Sequence, residues 1–331
     1  MARIGVAFSG GATASGIVDC VRRAEELGYD SAWVTEGHGG DQFAVLSACA
    51  VATSKIRLGT AISSVFVRSA PTIAMAAATV DDLSGGRFTL GLGSSHKVQV
   101  EPEHGITFGK PITRVRETVA LIRQLLADGT VSFEGETLRI EKFELWFKPY
   151  RPKLPIYLAG LFPKMVEVCG EVSDGIILTR STVKTAAEIR KSLATGAARA
   201  GRDASRIEVT SLLPTAVADS RAEAMEMMRP GLALYAGFFP RYNKLIASHG
   251  FEQEASDIAE AYQKGDMAGA VRAVSDAMVD ATSVCGTPKE CLERIAAYRD
   301  SGIDLPIISP FVRGGDAKAR FMAAIEACAG G

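Results

Sequence analysis

The chain is poor in the residues that build metal centres and disulfide frameworks. Four histidines occur among 331 residues, none at the H-x-x-x-H or H-E-x-x-H spacing of a zinc site. Six cysteines are scattered with no C-x-x-C pair. Most fall on apolar helical faces, where cysteine acts as a small buried hydrophobe. No apolar run approaches the roughly 20 residues that span a bilayer, and the opening MARIGVAFSGG lacks the apolar stretch of a signal peptide. Charge of one sign is not in excess either: 37 Lys plus Arg stand against 38 Asp plus Glu, a net charge of −1. Such a surface carries no electrostatic footprint for nucleic acid or anionic membrane. The expectation is a reduced, cytoplasmic protein with a small-molecule partner, no metal, no nucleic acid and no membrane.

What is present is an ordinary globular composition, 47% hydrophobic and 23% charged, arranged in a repeating pattern. Apolar strand-like runs begin at residues 3, 31, 56, 87, 154, 174, 206 and 303, and amphipathic stretches separate them. The strands are apolar almost throughout, as suits burial on both faces of a parallel sheet. Residues 131–140 read as a hairpin laid outside the repeat, and 239–283 as a mostly helical insertion after the seventh strand. Eight βα units in one unbroken alternation predict an α/β chain folded as a (β/α)8 TIM barrel, one domain over residues 1–331. A doubly wound open sheet is the second reading, but it usually has fewer strands.

The glycine-rich stretch DDLSGGRFTLGLGSSH (81–96) tests that second reading. A dinucleotide fingerprint needs G-x-G-x-x-G after the first strand. Here Gly91 and Gly93 lie on the fourth, and the third position is His96. Gly85-Gly86 instead follows a helical run and reads as its C-terminal stop. Gly91 and Gly93 have two readings: small residues packed inside a barrel, or a thinned wall that lets a flat ligand lie at its mouth. Chemistry in a barrel sits at the C-terminal strand ends. The residues expected there are Ser9, Glu36, His38, Asp41, Ala61 to Ser64, Gly93 to His96, Gly160 and Thr179. They are small or polar with few charges, which suits a large planar cofactor.

Four segments together resemble the luciferase-like flavin oxidoreductases: WVTEGHGGD (33–41), IRLGTAI (56–62), LSGGRFTLGLGSSHK (83–97) and LPIYLAGLFPKMVEVCGEVSDGIIL (154–178). The closer likeness is to the branch that uses the deazaflavin coenzyme F420, which includes methylenetetrahydromethanopterin reductase. The resemblance implies hydride transfer between the deazaflavin and an organic substrate. An FMN-dependent monooxygenase and a non-catalytic flavin-binding barrel are the alternatives on the same scaffold. It further implies a cis non-proline bond at Ala61-Ile62, with an ordinary trans strand end as the alternative, forming a bulge beneath the ring, with Glu36, Ser63, Gly93, Ser94, Ser95 and Thr179 nearby. The cofactor phosphate is expected on the loop Ala159, Gly160, Leu161, Phe162, Pro163 and Lys164, where a helix start offers unpaired N–H groups. His38 and His96 are the candidate catalytic groups, with His96 either moving a proton or only holding the cofactor or loop backbone. Arg68 and His104 fall on the substrate side, and Arg68 has the alternative of simple solvation. His249 reads as a surface residue, the Met-rich 223–229 as core or interface, and GFFPRYNKL (237–245) as a pocket lid or a subunit contact. A homodimer packed through helices 43–54 and 70–84 is also implied.

Overall fold

The computed structural model describes residues 3–310 and 316–330. From the N-terminus come β1 (Gly5–Phe8), α1 (Ala14–Glu26), β2 (Ser31–Val34), α2 (Gln42–Ala52), β3 (Arg57–Thr60), β4 (Ser63–Ser64), α3 (Ala70–Leu83) and β5 (Phe88–Gly93). Helices α4 (Lys97–His104) and α5 (Pro111–Asp128) precede the antiparallel hairpin of β6 (Thr130–Glu134) and β7 (Arg139–Glu144). The repeat resumes with β8 (Ile156–Ala159), α6 (Pro163–Val172), β9 (Gly175–Thr179), α7 (Thr185–Arg199) and β10 (Glu208–Val217). Five helices follow: α8 (Arg221–Phe238), α9 (Pro240–Ser248), α10 (Glu252–Gln263), α11 (Met267–Arg272) and α12 (Asp276–Thr282). The described chain ends with β11 (Val284–Gly286), α13 (Pro288–Asp300), β12 (Leu305–Pro310) and α14 (Ala317–Ala327).

Parallel pairing runs β1-β2-β3-β5-β8-β9-β10-β12 and back to β1, which closes the expected eight-stranded barrel. Beyond that circuit, β4 extends β3 and β11 pairs with the far end of β10. The local signals explain the boundaries. Thr13, Asp41 and Ser69 each accept a backbone N–H at the start of a helix, satisfying donors that would otherwise be unpaired. Thr287 and Glu290 form a capping box on α13. Gly85 and Gly86 follow α3 at φ 62° and 85°, where glycine carries no Cβ penalty, so the stop read from the sequence is real.

The main core lies between the strands and the surrounding helices. A smaller interior cluster fills the barrel, with Trp33 and Tyr157 at 6.0 Å between centroids. Gly59 makes room for the Trp33 ring, because a Cβ there would fall 2.3 Å from it. A separate apolar cluster joins α8 to the insertion helices through Met225, Met228, Leu232, Ile246, Ile258 and Met278. The Met-rich segment is therefore core. Two short elements escaped the pattern: α4, where only a loop was expected before the fourth helix, and β11.

Candidate functional site at the barrel mouth

Between β3 and β5 the wall of the barrel contains one extra residue. Leu58 pairs with Phe88 but Ser63 with Leu92, five steps along one strand against four along the other. The surplus is taken up at Thr60–Ile62 as a bulge. Within it the Thr60 side chain replaces the ladder: its Oγ1 accepts from Gly91 N–H at 2.7 Å and donates to Gly91 C=O at 2.8 Å. Gly91 permits this approach, since a Cβ would lie 2.0 Å from the Thr60 carbonyl oxygen. The cis bond expected at Ala61-Ile62 is not there; every peptide bond among the described residues is trans. The hydroxyl of Thr60 keeps both Gly91 groups bonded, so the bulge forms without an isomerised bond.

The bulge sets Ile62 against the interior cluster. A Cβ on Gly93 would meet Ile62 Cγ2 at 2.7 Å and Ala159 Cβ at 3.1 Å. Both glycines thus serve the bulge: Gly91 admits its backbone and Gly93 admits its side chain. The result is an apolar ledge at the C-terminal end of the strands. The loop after β2 braces the ledge from outside. Glu36 accepts from Ser64 N–H at 2.7 Å and from Ser63 Oγ at 3.3 Å. Arg68 donates to Glu36 and to Asp41, each at 2.5 Å, and lies over the Phe43 ring. Its charge is therefore matched by two carboxylates.

Beyond Gly93 the chain turns through Ser94 and Ser95, the latter at φ 56°, to His96 at the start of α4. The His96 ring packs 4.7 Å from Phe239 and 5.0 Å from Tyr242. Burial there, with Arg241 adding to it, lowers its pKa from 6.5 to about 4, so at neutral pH the imidazole is uncharged. Phe239 and Tyr242 belong to the GFFPRYNKL run, which the fold lays over the mouth. His38 and His104 lie apart from this cluster and are exposed. His38 Nε2 contacts Glu103 Oε2 at 3.0 Å, tying the β2 loop to α4.

At the end of β8, Ala159 and Gly160 lead through Leu161 and Phe162 into α6, whose start is uncapped by any side chain and has Pro163 in its first turn. A Cβ on Gly160 would crowd Ile176, Cys169 and Val166 at 3.1–3.4 Å. Lys244 of α9 reaches over the Phe162 ring at 5.9 Å, so the insertion also covers this loop. Thr179 ends β9 and is followed by Arg180, a buried residue that the sequence did not single out. His249 is not at the surface as expected: it is partly buried, with Nε2 3.2 Å from the Arg180 carbonyl, and burial lowers its pKa. A surface cleft of about 760 Å³ lies elsewhere, between α8 and α12. Its lining charges pair with each other, as Arg221 and Arg229 do with Asp280 and Asp276. Among the described residues no His, Cys, Asp and Glu group could hold a metal, and no helix is long and apolar enough to cross a membrane.

Known proteins share this architecture. A 5,10-methylenetetrahydromethanopterin reductase of Methanolobus tindarius is 32% identical over 290 residues, 87% of each chain. One from Archaeoglobus fulgidus is 31% identical over 86% of each. The solved coenzyme F420-dependent tetrahydromethanopterin reductase of Methanopyrus kandleri superposes with a TM-score of 0.85 at 24% identity, covering 98% of this chain and 97% of that one. An F420-dependent secondary alcohol dehydrogenase, solved with an F420-acetone adduct, gives 0.79 at 22% identity, covering 99% of both chains. The model of one family, described as luciferase-like monooxygenase, matches residues 1–305. The chain belongs to the luciferase-like monooxygenase family.

Proposed function

We propose that this protein is a coenzyme F420-dependent oxidoreductase that transfers hydride between the deazaflavin and an organic substrate. The observation that carries the reading is the bulge at Thr60–Ile62, backed by two glycines and ending in an apolar ledge at the mouth. Such a ledge fits a planar ring; the reductases named above at 31–32% identity support the reaction class, and the F420-dependent solved proteins support the choice of cofactor.

In this reading Ile62 and Gly93 support the ring, with Ser63, Ser64 and Glu36 holding the bulge from behind. The N–H groups at the start of α6, near Gly160 to Lys164, meet the cofactor phosphate. When bound, the deazaflavin supplies hydride exchange at one ring carbon. The protein's part is to orient both partners and exclude water. Phe239 and Tyr242 provide the dry cover. His96, uncharged near pH 7, can accept a hydrogen bond or a proton but brings no proton of its own charge to donate. A homodimer through α2 and α3 is part of the same proposal. Ala44, Ala48 and Val51 form an exposed apolar stripe on α2, beside exposed Met75 and Leu83 on α3.

Titration of the purified protein with each cofactor tests the reading. Saturable quenching of deazaflavin fluorescence, with hydride turnover on a panel of carbonyl and alcohol substrates, is expected. Tight FMN binding without a deazaflavin response would shift the assignment to the monooxygenase alternative.

A further inference from the structure

The mouth holds a buried cation with no carboxylate partner among the described residues. Arg180 is 4% exposed, and its Nε and Nη1 are sealed from solvent without meeting an acceptor. The guanidinium lies 3.9 Å from the centre of the Tyr235 ring and 5.9 Å from that of Tyr242. Its backbone is pinned on both sides: the Arg180 carbonyl meets His249 Nε2, and Ser181 Oγ lies 2.7 Å from Ser211 Oγ. Arg294 and Arg299 also have unmatched nitrogens, but both are partly exposed and lie on α13. Other arginines that reach into the core are matched. Arg151 grips Asp81, and Arg87 binds the carbonyls of Ala50, Thr53 and Ile56.

A buried cation without a counter-charge is costly, and such a group persists where a ligand supplies the missing acceptor. Tyr242 touches both Arg180 and His96. These three therefore span the mouth from the end of β5 to the end of β9, across β8 between them. We propose that Arg180 is an oxyanion anchor, receiving a carboxylate or phosphate of the ligand that enters this mouth. Tyr235 holds the guanidinium plane, and the unmatched Nε–H and Nη1–H groups are the donors left to meet an oxyanion. Tyr235, Phe239 and Tyr242 come from α8, its end and α9, so displacement of this aromatic cover exposes these donors. The inference rests on the mouth being the ligand site, as proposed above. The oxyanion has two sources, the acidic tail of the cofactor or an acidic substrate.

The test follows the arginine Nε–H resonances of the ¹⁵N-labelled protein, with that of Arg180 assigned by its loss in Arg180→Lys. Inorganic phosphate and acetate are added against chloride at matched ionic strength. The expected result is a shift of the Arg180 signal with phosphate or acetate and not with chloride, or a loss of deazaflavin affinity of at least roughly tenfold in Arg180→Met. The affinity loss assigns the oxyanion to the cofactor; an anion-induced shift with deazaflavin affinity unchanged in the variant assigns it to the substrate. No shift with either anion, together with wild-type deazaflavin affinity in Arg180→Met, overturns the proposal. Arg180→Lys keeps the charge without the guanidinium donors and serves where the Met variant fails to fold. If the wild-type protein quenches neither deazaflavin nor FMN, the function proposed above fails, while the phosphate and acetate titration still decides the role of Arg180.

Discussion

Replacing His96 by Gln isolates the cost of charging an imidazole beneath the aromatic cover. In the folded protein burial, assisted by Arg241, takes the His96 pKa from 6.5 to about 4. The unfolded chain therefore binds a proton between these values while the folded chain does not. Stability contributed by the neutral ring is complete above the unfolded pKa and is lost as pH falls from about 6.5 towards 4. At pH 5 linkage puts the loss at about 2 kcal/mol relative to pH 8. Gln cannot titrate, so the difference in unfolding free energy between wild type and His96→Gln removes the contributions of all other groups. Urea denaturation at half-unit intervals from pH 4.5 to 8 measures it. The difference is expected to rise with pH by about 2 kcal/mol between pH 5 and 8, with most of the change below pH 6.5. A flat difference, or one that falls with pH, would refute the argument that Phe239 and Tyr242 desolvate this ring.

Three further substitutions probe the support of the mouth. Thr60→Val leaves the buried N–H and C=O of Gly91 without their partner, and denaturant unfolding should show a loss of about 2 kcal/mol. Gly93→Ala drives a methyl into Ile62 and Ala159; the expected loss is about 1–3 kcal/mol of stability, with deazaflavin affinity reduced at least roughly tenfold in a fluorescence titration. Arg151→Met strands the Asp81 carboxylate, whose side chain is 2% exposed. It should cost roughly 3–5 kcal/mol in thermal or urea unfolding without changing deazaflavin affinity in protein that remains folded.

The barrel was legible because its signals are local. Continuous apolar runs marked the eight strands, and Ser84-Gly85-Gly86 announced the end of α3 two residues before the chain re-entered the sheet. The bulge was half legible: LGTAI marked its place by resemblance, but the exchange between the Thr60 hydroxyl and Gly91 depends on a strand 31 residues away. Arg68 looked free in sequence because its carboxylate partners lie on the far side of α2, at Glu36 and Asp41. Arg180 gave no signal at all. It stands in the unremarkable run Leu-Thr-Arg-Ser-Thr, and its burial is imposed by Tyr235 and Tyr242, more than fifty residues downstream. His249 misled for the same reason, since its place in a polar turn of the insertion conceals the contact with Arg180. Helix α4 escaped because Pro102 and Gly105 break its pattern, and β11 because three residues show no period.

The most direct test of the central claim is the binding of deazaflavin and FMN to the wild-type protein and to Ile62→Glu, followed by fluorescence quenching. The ledge formed by Ile62 over Gly93 should give saturable deazaflavin binding at micromolar concentration, at least roughly tenfold tighter than FMN, with a loss of about two orders of magnitude when a carboxylate replaces the apolar ledge. Equal deazaflavin affinity in wild type and Ile62→Glu would contradict the claim that the ring rests there.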